Sequence, residues 1–100
     1  MGTYWKAICD RKEFIDPGRI GTTGRKLDQV VSGPAAGVIL AYMSAYDGWL
    51  GAGVRLVDDT GLYAWEYEQA TEEYVDVTAK AVAFYNERFE IKPPIEVCDE

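Results

Sequence analysis

Histidine is absent from this chain of 100 residues. That gap removes the commonest general base, the commonest metal ligand and the one side chain that ordinarily titrates near neutral pH. Serine is nearly as scarce. Only Ser32 and Ser44 occur, neither lies in a Gly-x-Ser-x-Gly elbow, and no imidazole is present to activate either. The two cysteines, Cys9 and Cys98, stand near opposite ends of the chain. They are too few for a disulfide framework and cannot alone complete a tetrahedral zinc site, so two free thiols in a reducing compartment are expected, with no metal and no cofactor. No apolar run approaches the roughly 20 residues that cross a bilayer. The opening residues Met1–Lys6 lack the apolar stretch of a secretory signal, and Lys6 breaks the myristoylation pattern. A cytoplasmic, membrane-free protein is the expectation.

What is present is ordinary for a globular domain. Hydrophobic residues make 48% and charged residues 27%, which excludes collagen-like, low-complexity and wholly disordered chains. No linker or repeat divides the chain, so residues 1–100 are read as one domain with an acidic tail from about 95. The net charge of −7 is unevenly spread. Residues 1–26 carry six bases against three acids, whereas residues 27–100 carry four bases against fourteen acids. An acidic chain repels the phosphates of nucleic acid and of anionic lipid. Its negative half suits a basic protein partner, and its positive start suits a small anion.

The predicted fold is α+β: a small, mostly antiparallel sheet packed on a buried central helix and a C-terminal helix. Alternation over Thr3–Cys9 predicts a strand, Asp10-Arg11-Lys12 a tight turn, and Glu13-Phe14-Ile15 a return strand stopped by Asp16-Pro17-Gly18. A short helix is expected over Lys26–Ser32. Pro34 then opens a helix predicted to run to Tyr46, uncharged from Ala35 onward and hence central, with Gly37, Ala41 and Ala45 forming a small-residue stripe. Subunit contact is the other use for such a helix, which makes a homodimer a candidate. Val54–Val57 reads as a strand and Asp58-Asp59-Thr60-Gly61 as a turn. Leu62–Ala70 fits either alternation or helical turns and is read as a short helix, followed by a strand at Glu73–Val77. Thr78 is the expected N-cap of a helix reaching about Glu90.

Two segments carry the functional readings. Thirteen aromatic residues include seven Tyr and three Trp, side chains that favour interfaces. Tyr63, Trp65 and Tyr67 interleave with Glu66, Glu72 and Glu73, an acidic and aromatic strip suited to the Arg and Lys of a basic protein partner. The leading expectation is therefore a non-enzymatic interaction or regulatory protein using that strip, an inhibitor of phage type being one version. The alternative is a small anion- or nucleotide-binding module. Arg19, Gly21, Thr22, Thr23, Gly24, Arg25 and Lys26 combine flexible backbone, hydroxyls and positive charge before a predicted helix, although neither P-loop nor dinucleotide spacing is met. An enzyme is the third reading and would need a cleft holding carboxylates of split proton affinity.

Lys12-Glu13-Phe14-Ile15-Asp16-Pro17 with Arg25-Lys26-Leu27, and Trp49-Leu50-Gly51 before Val54-Arg55-Leu56-Val57-Asp58-Asp59, together resemble a group of small uncharacterised bacterial and phage-type proteins. The resemblance covers about a third of the chain. It implies a compact cytoplasmic α+β domain and carries over no reaction and no functional residue.

Overall fold

The computed structural model describes residues 3–98 and is α+β. Strands β1 (Trp5–Cys9) and β2 (Glu13–Ile15) form an antiparallel hairpin in which Ala7 faces Ile15 and Ile8 faces Phe14. The turn between them closes through Lys12, whose φ of 65° is left-handed and whose N–H donates to the Cys9 carbonyl at 3.0 Å. Strand β3 (Val54–Asp58) lies antiparallel on the other side of β1, and β4 (Val75–Asp76) lies parallel to β2. The sheet order is β3-β1-β2-β4, so β3 is an edge strand. Two of the three pairings are antiparallel, as the predicted fold class requires.

Helices α1 (Leu27–Ser32), α2 (Pro34–Met43) and α4 (Thr78–Arg88) gather on one side of the sheet, and α3 (Ala64–Glu73) covers the other. The pleat explains this division, because successive side chains leave a strand on opposite faces. Ala7, Cys9 and Ile15 meet Val38, Ile39 and Tyr42 of α2 and Ala81 and Val82 of α4. Ile8, Phe14 and Val57 turn the other way and meet Ala70 of α3. Trp49, fully buried, anchors the larger core. Its ring stands edge-on to Tyr42 at 5.5 Å, and its indole N–H donates to Glu13 Oε1 at 2.8 Å. Truncating such a residue to alanine costs about 3–5 kcal/mol.

Several boundaries differ from the sequence reading. The central helix stops at Met43, three residues before Tyr46, and it is buried on one stripe only: Ala35, Val38, Ile39 and Tyr42 face inward while Leu40 is 65% exposed. Of the small-residue stripe, Gly37 packs against α4, where a Cβ would lie 2.9 Å from the Tyr85 hydroxyl, and Ala45 falls beyond the end of the helix. The segment read as a short helix over Leu62–Ala70 is helical over Ala64–Glu73, where a 3.6-residue period turns Ala70 and Tyr67 toward Ile8 and Phe14 together. The strand that follows shrinks to Val75–Asp76. Thr78 is the first helical residue and not the cap; Val77 holds that position, and the Thr78 hydroxyl is used elsewhere. The last helix closes at Arg88, before Glu90.

The presumed acidic tail is not a separate tail where it is described. Val97 bridges Ile20, the Gly21 and Cys98 N–H groups donate to the carbonyls of Glu96 and Arg19 at 2.8 Å each, and Asn86 of α4 clasps the backbone of Ile95. Its final residues, 99–100, lie outside the described residues. Both cysteines are free thiols, Cys9 buried and Cys98 exposed. No helix among the described residues is long and apolar enough to cross a membrane.

Candidate anion-binding site

A cavity of about 640 Å³ opens on the α3 side of the sheet, where β2 and β4 end. Lys6 forms its floor. The alternation of β1 that sends Ala7 and Cys9 into the large core sends Lys6 to the opposite face, beside Val57. Its residue is only 6% exposed. The ammonium lies over the Tyr67 ring at 4.2 Å from the centroid and over Phe14 at 5.1 Å, and it donates to Thr71 Oγ1 at 2.5 Å. Thr71 and Tyr67 share this face because they are one turn apart on α3. The Thr71 hydroxyl proton is committed to the Tyr67 carbonyl at 2.9 Å, which leaves its oxygen to accept from the lysine. No carboxylate among the described residues is in ion-pair contact with Lys6. Burial pushes its pKa below the ordinary value, an effect that Asp16 opposes and Arg25 reinforces.

Two arginines complete the charge of the cavity. Arg19 ends the single 3-10 turn Pro17–Arg19, ion-pairs with Asp76 of β4, and donates from Nε to the Cys98 carbonyl at 2.8 Å. Arg25 pairs with Asp16 at 3.2 Å, and its carbonyl accepts from Trp5 N–H at 2.8 Å, which ties the glycine-rich loop to β1. Gly18 allows this, since a Cβ there would fall 2.3 Å from Arg25 Nε. Thr78, fully buried, joins the two pairs. Its hydroxyl donates to Asp76 Oδ1 at 2.6 Å and accepts from the Asp16 N–H at 2.9 Å. A continuous chain of contacts thus runs Arg25–Asp16–Thr78–Asp76–Arg19. Among the described residues, the lining brings together three cations, Lys6, Arg19 and Arg25, and two carboxylates, Asp16 and Asp76.

The glycine-rich loop contributes side chains here, not a backbone cradle. Of its seven candidate residues only Arg19 and Arg25 line the cavity. Thr23 is buried and accepts from the Ala35 N–H at the start of α2, at 3.1 Å, and its own N–H goes to Ile20. Gly21, at a φ of +55°, gives its N–H to Glu96. Gly24 packs beneath Gln29, whose side chain a Cβ would meet at 1.9 Å. Thr22 and Lys26 are exposed. Lys6, Asp16, Thr71 and Asp76 were missed, because nothing local marks a strand lysine as facing a cavity rather than solvent.

The acidic and aromatic strip is divided by its helix. Tyr67 turns inward to the cavity, where burial raises its pKa and Asp16 adds to the effect. Glu66 is bound to Arg55, with Oε2 at 2.6 Å from one guanidinium nitrogen and Oε1 at 3.3 Å from Nε. Trp65 and Tyr63 are 61% and 52% exposed, and Glu72 and Glu73 are exposed on the outer side of α3. A second, apolar groove of about 340 Å³ runs between α1, α2 and β3, lined by Val31, Leu40, Met43 and Leu56 among others. Among the described residues no group of three His, Cys, Asp or Glu side chains is placed to hold a metal ion.

Comparison with known proteins returns no matching family model, no similar curated protein and no similar solved structure.

Proposed function

We propose that this protein is a binding module for small oxyanions, namely metabolites bearing a phosphate or carboxylate. One observation carries the reading: Lys6 is a buried ammonium with no carboxylate among the described residues in ion-pair contact, in a cavity that it shares with Arg19 and Arg25. Burying a cation costs free energy unless a counter-charge compensates it. An incoming anion supplies that charge. Guanidinium groups suit planar and tetrahedral oxyanions alike, and Asp16 and Asp76 hold both arginines in place without neutralising the lysine. In a chain of net charge −7 the affinity of such a site depends on ionic strength.

Amide-resolved NMR titration with inorganic phosphate, then with nucleoside phosphates, tests this. Shifts centred on Lys6, Arg19, Arg25 and Tyr67, strong at low salt and weaker at high salt, are expected, and Arg25→Ala and Lys6→Met remove them. A flat titration at low salt rejects the site.

A second reading rests on a separate feature. Leu62, Tyr63 and Trp65 project into solvent where α3 begins, beside Glu68 and Glu72 on the same outer face. Exposed aromatics flanked by carboxylates suit a basic protein partner. Affinity capture with the wild type and with a Trp65→Ser, Glu68→Lys, Glu72→Lys variant distinguishes the cases. Partners lost selectively from the variant support the contact, and identical profiles reject it.

A further inference from the structure

We infer that Lys6 is a carbonyl-reactive amine, and that the ligands best suited to its cavity are small aldehydes or ketones carrying a carboxylate or phosphate. This rests on the oxyanion reading above and adds a covalent step to it. The geometry makes the division of labour. Arg19 and Arg25 hold the anionic group, which leaves Nζ of Lys6 for the carbonyl carbon in the same 640 Å³ space.

Three features distinguish this lysine from a surface lysine. It rises from the central part of the sheet between two aromatic rings, so the amine is held in one place and not free to sweep through solvent. Among the described residues no carboxylate touches it to retain its proton, although Asp16, Asp76 and the more distant Asp59 face it with one sign of charge and Arg25 with the other. Burial outweighs those charges and lowers its proton affinity, which enlarges the neutral, nucleophilic fraction at a given pH. Desolvation and a neighbouring cation are the recognised means of activating an amine toward carbonyls. The other lysines, Lys12, Lys26, Lys80 and Lys92, are all exposed and serve as internal controls.

The step balances without a co-reactant. The Nζ lone pair adds to the carbonyl carbon as the C=O π electrons move to oxygen, which takes up a proton while nitrogen gives one up. The resulting carbinolamine loses water, its C–O bond breaking as the nitrogen lone pair forms C=N. Amine and carbonyl give imine and water, with no change of oxidation state. Thr71 Oγ1, 2.5 Å from Nζ, accepts from the amine and is the positioning group that orients it.

The test exposes the protein to glyoxylate near neutral pH, reduces with borohydride, and maps the adducts by peptide mass spectrometry. Lys6 should carry the reduced adduct at least tenfold more than any of the four exposed lysines. Propionaldehyde, of similar size and uncharged, should show far less preference, and Arg25→Ala should bring glyoxylate down to that level. Glyoxylate labelling of Lys6 no faster than of the exposed lysines overturns the inference. Phosphate titration in parallel separates the two claims. Phosphate-induced shifts with unselective labelling sink the imine step alone; their absence together with equal reaction toward both aldehydes sinks the oxyanion site and leaves only a reactive amine, contrary to the ligand class inferred here.

Discussion

Thr78→Val removes one hydroxyl from the middle of the contact chain that joins the two arginines, and its cost follows from what that hydroxyl does. Valine keeps the shape of threonine, so no cavity opens at a fully buried position. Two bonds vanish. The Asp16 N–H loses its acceptor at 2.9 Å, and a buried unsatisfied donor costs about 1–3 kcal/mol. Asp76 Oδ1 loses the donor at 2.6 Å, a bond to a charged group worth about 1.5–3 kcal/mol net. Asp76 keeps the Thr78 N–H and Arg19, which recovers part of the second loss. The gain in apolar burial is under about 1 kcal/mol. The net expectation is a destabilisation of about 2–4 kcal/mol. With a urea slope of about 1–2 kcal/mol/M for a chain of this size, the midpoint falls by about 1–4 M. Thr78→Ser keeps both bonds and loses a methyl group, at about 1 kcal/mol. Urea unfolding followed by the fluorescence of buried Trp49 compares the two variants directly. A valine variant within about 0.5 kcal/mol of the serine variant would show that the hydroxyl contributes no more than its shape, and the coupling of Asp16 to Asp76 would be refuted.

Four other outcomes follow from the same geometry. Because Lys6 has a depressed pKa when folded, the unfolded chain binds more protons between that value and the ordinary 10.5, and stability rises with pH across the window; Lys6→Met, apolar and of similar length, should match or exceed the wild type near pH 7, with its advantage shrinking toward pH 10. A constant difference across that range would remove the buried-charge argument. Gly18→Ala should displace the Arg25 side chain, weaken phosphate binding several-fold and lower the unfolding midpoint as the pair with Asp16 is lost; unchanged affinity would mean that Arg25 does not serve the site. Thiol labelling should modify exposed Cys98 at once and Cys9 only on unfolding, since burial both hides Cys9 and raises its pKa; equal rates would contradict the placement of β1. Leu56→Lys, on the exposed side of an edge strand, should cost under about 1 kcal/mol and raise solubility at high concentration, as read by light scattering.

The sheet was legible wherever local pattern and tertiary demand agree. The hairpin 5–15 announced itself by alternation and a three-residue turn, and Pro34 marked the start of α2. The order of the strands was not legible, because the parallel pairing of β4 with β2 depends on a contact between residues about 60 positions apart. Leu62–Ala70 was ambiguous since its aromatics satisfy period 2 as well as period 3.6, and only the apolar face offered by Ile8 and Phe14 decides between them. The site divides in the same way. Arg19 and Arg25 could be singled out from a basic, glycine-rich stretch. Lys6, Tyr67, Thr71 and Asp76 come from three other elements, and beyond the one-turn spacing of Tyr67 and Thr71 on α3 no spacing rule links them. Thr78 resembled a helix cap by position and residue type, yet the backbone donor it satisfies belongs to Asp16, 62 residues away.

The sheet ends on one side at the five-residue strand β3, which among the described residues pairs with β1 on its inner side and with no strand on its outer side. Its main-chain groups on that side form an open seam, bordered by Leu56 and by the apolar groove against α1 and α2. A strand in this condition is a template: any extended segment of matching length can be stitched onto it through backbone bonds alone, whatever its side chains. Brevity and the charged Arg55 are the brakes the fold supplies. Crowded solutions, where encounters between such seams are most frequent, are therefore the conditions in which this domain is under greatest pressure to extend its sheet beyond its own chain.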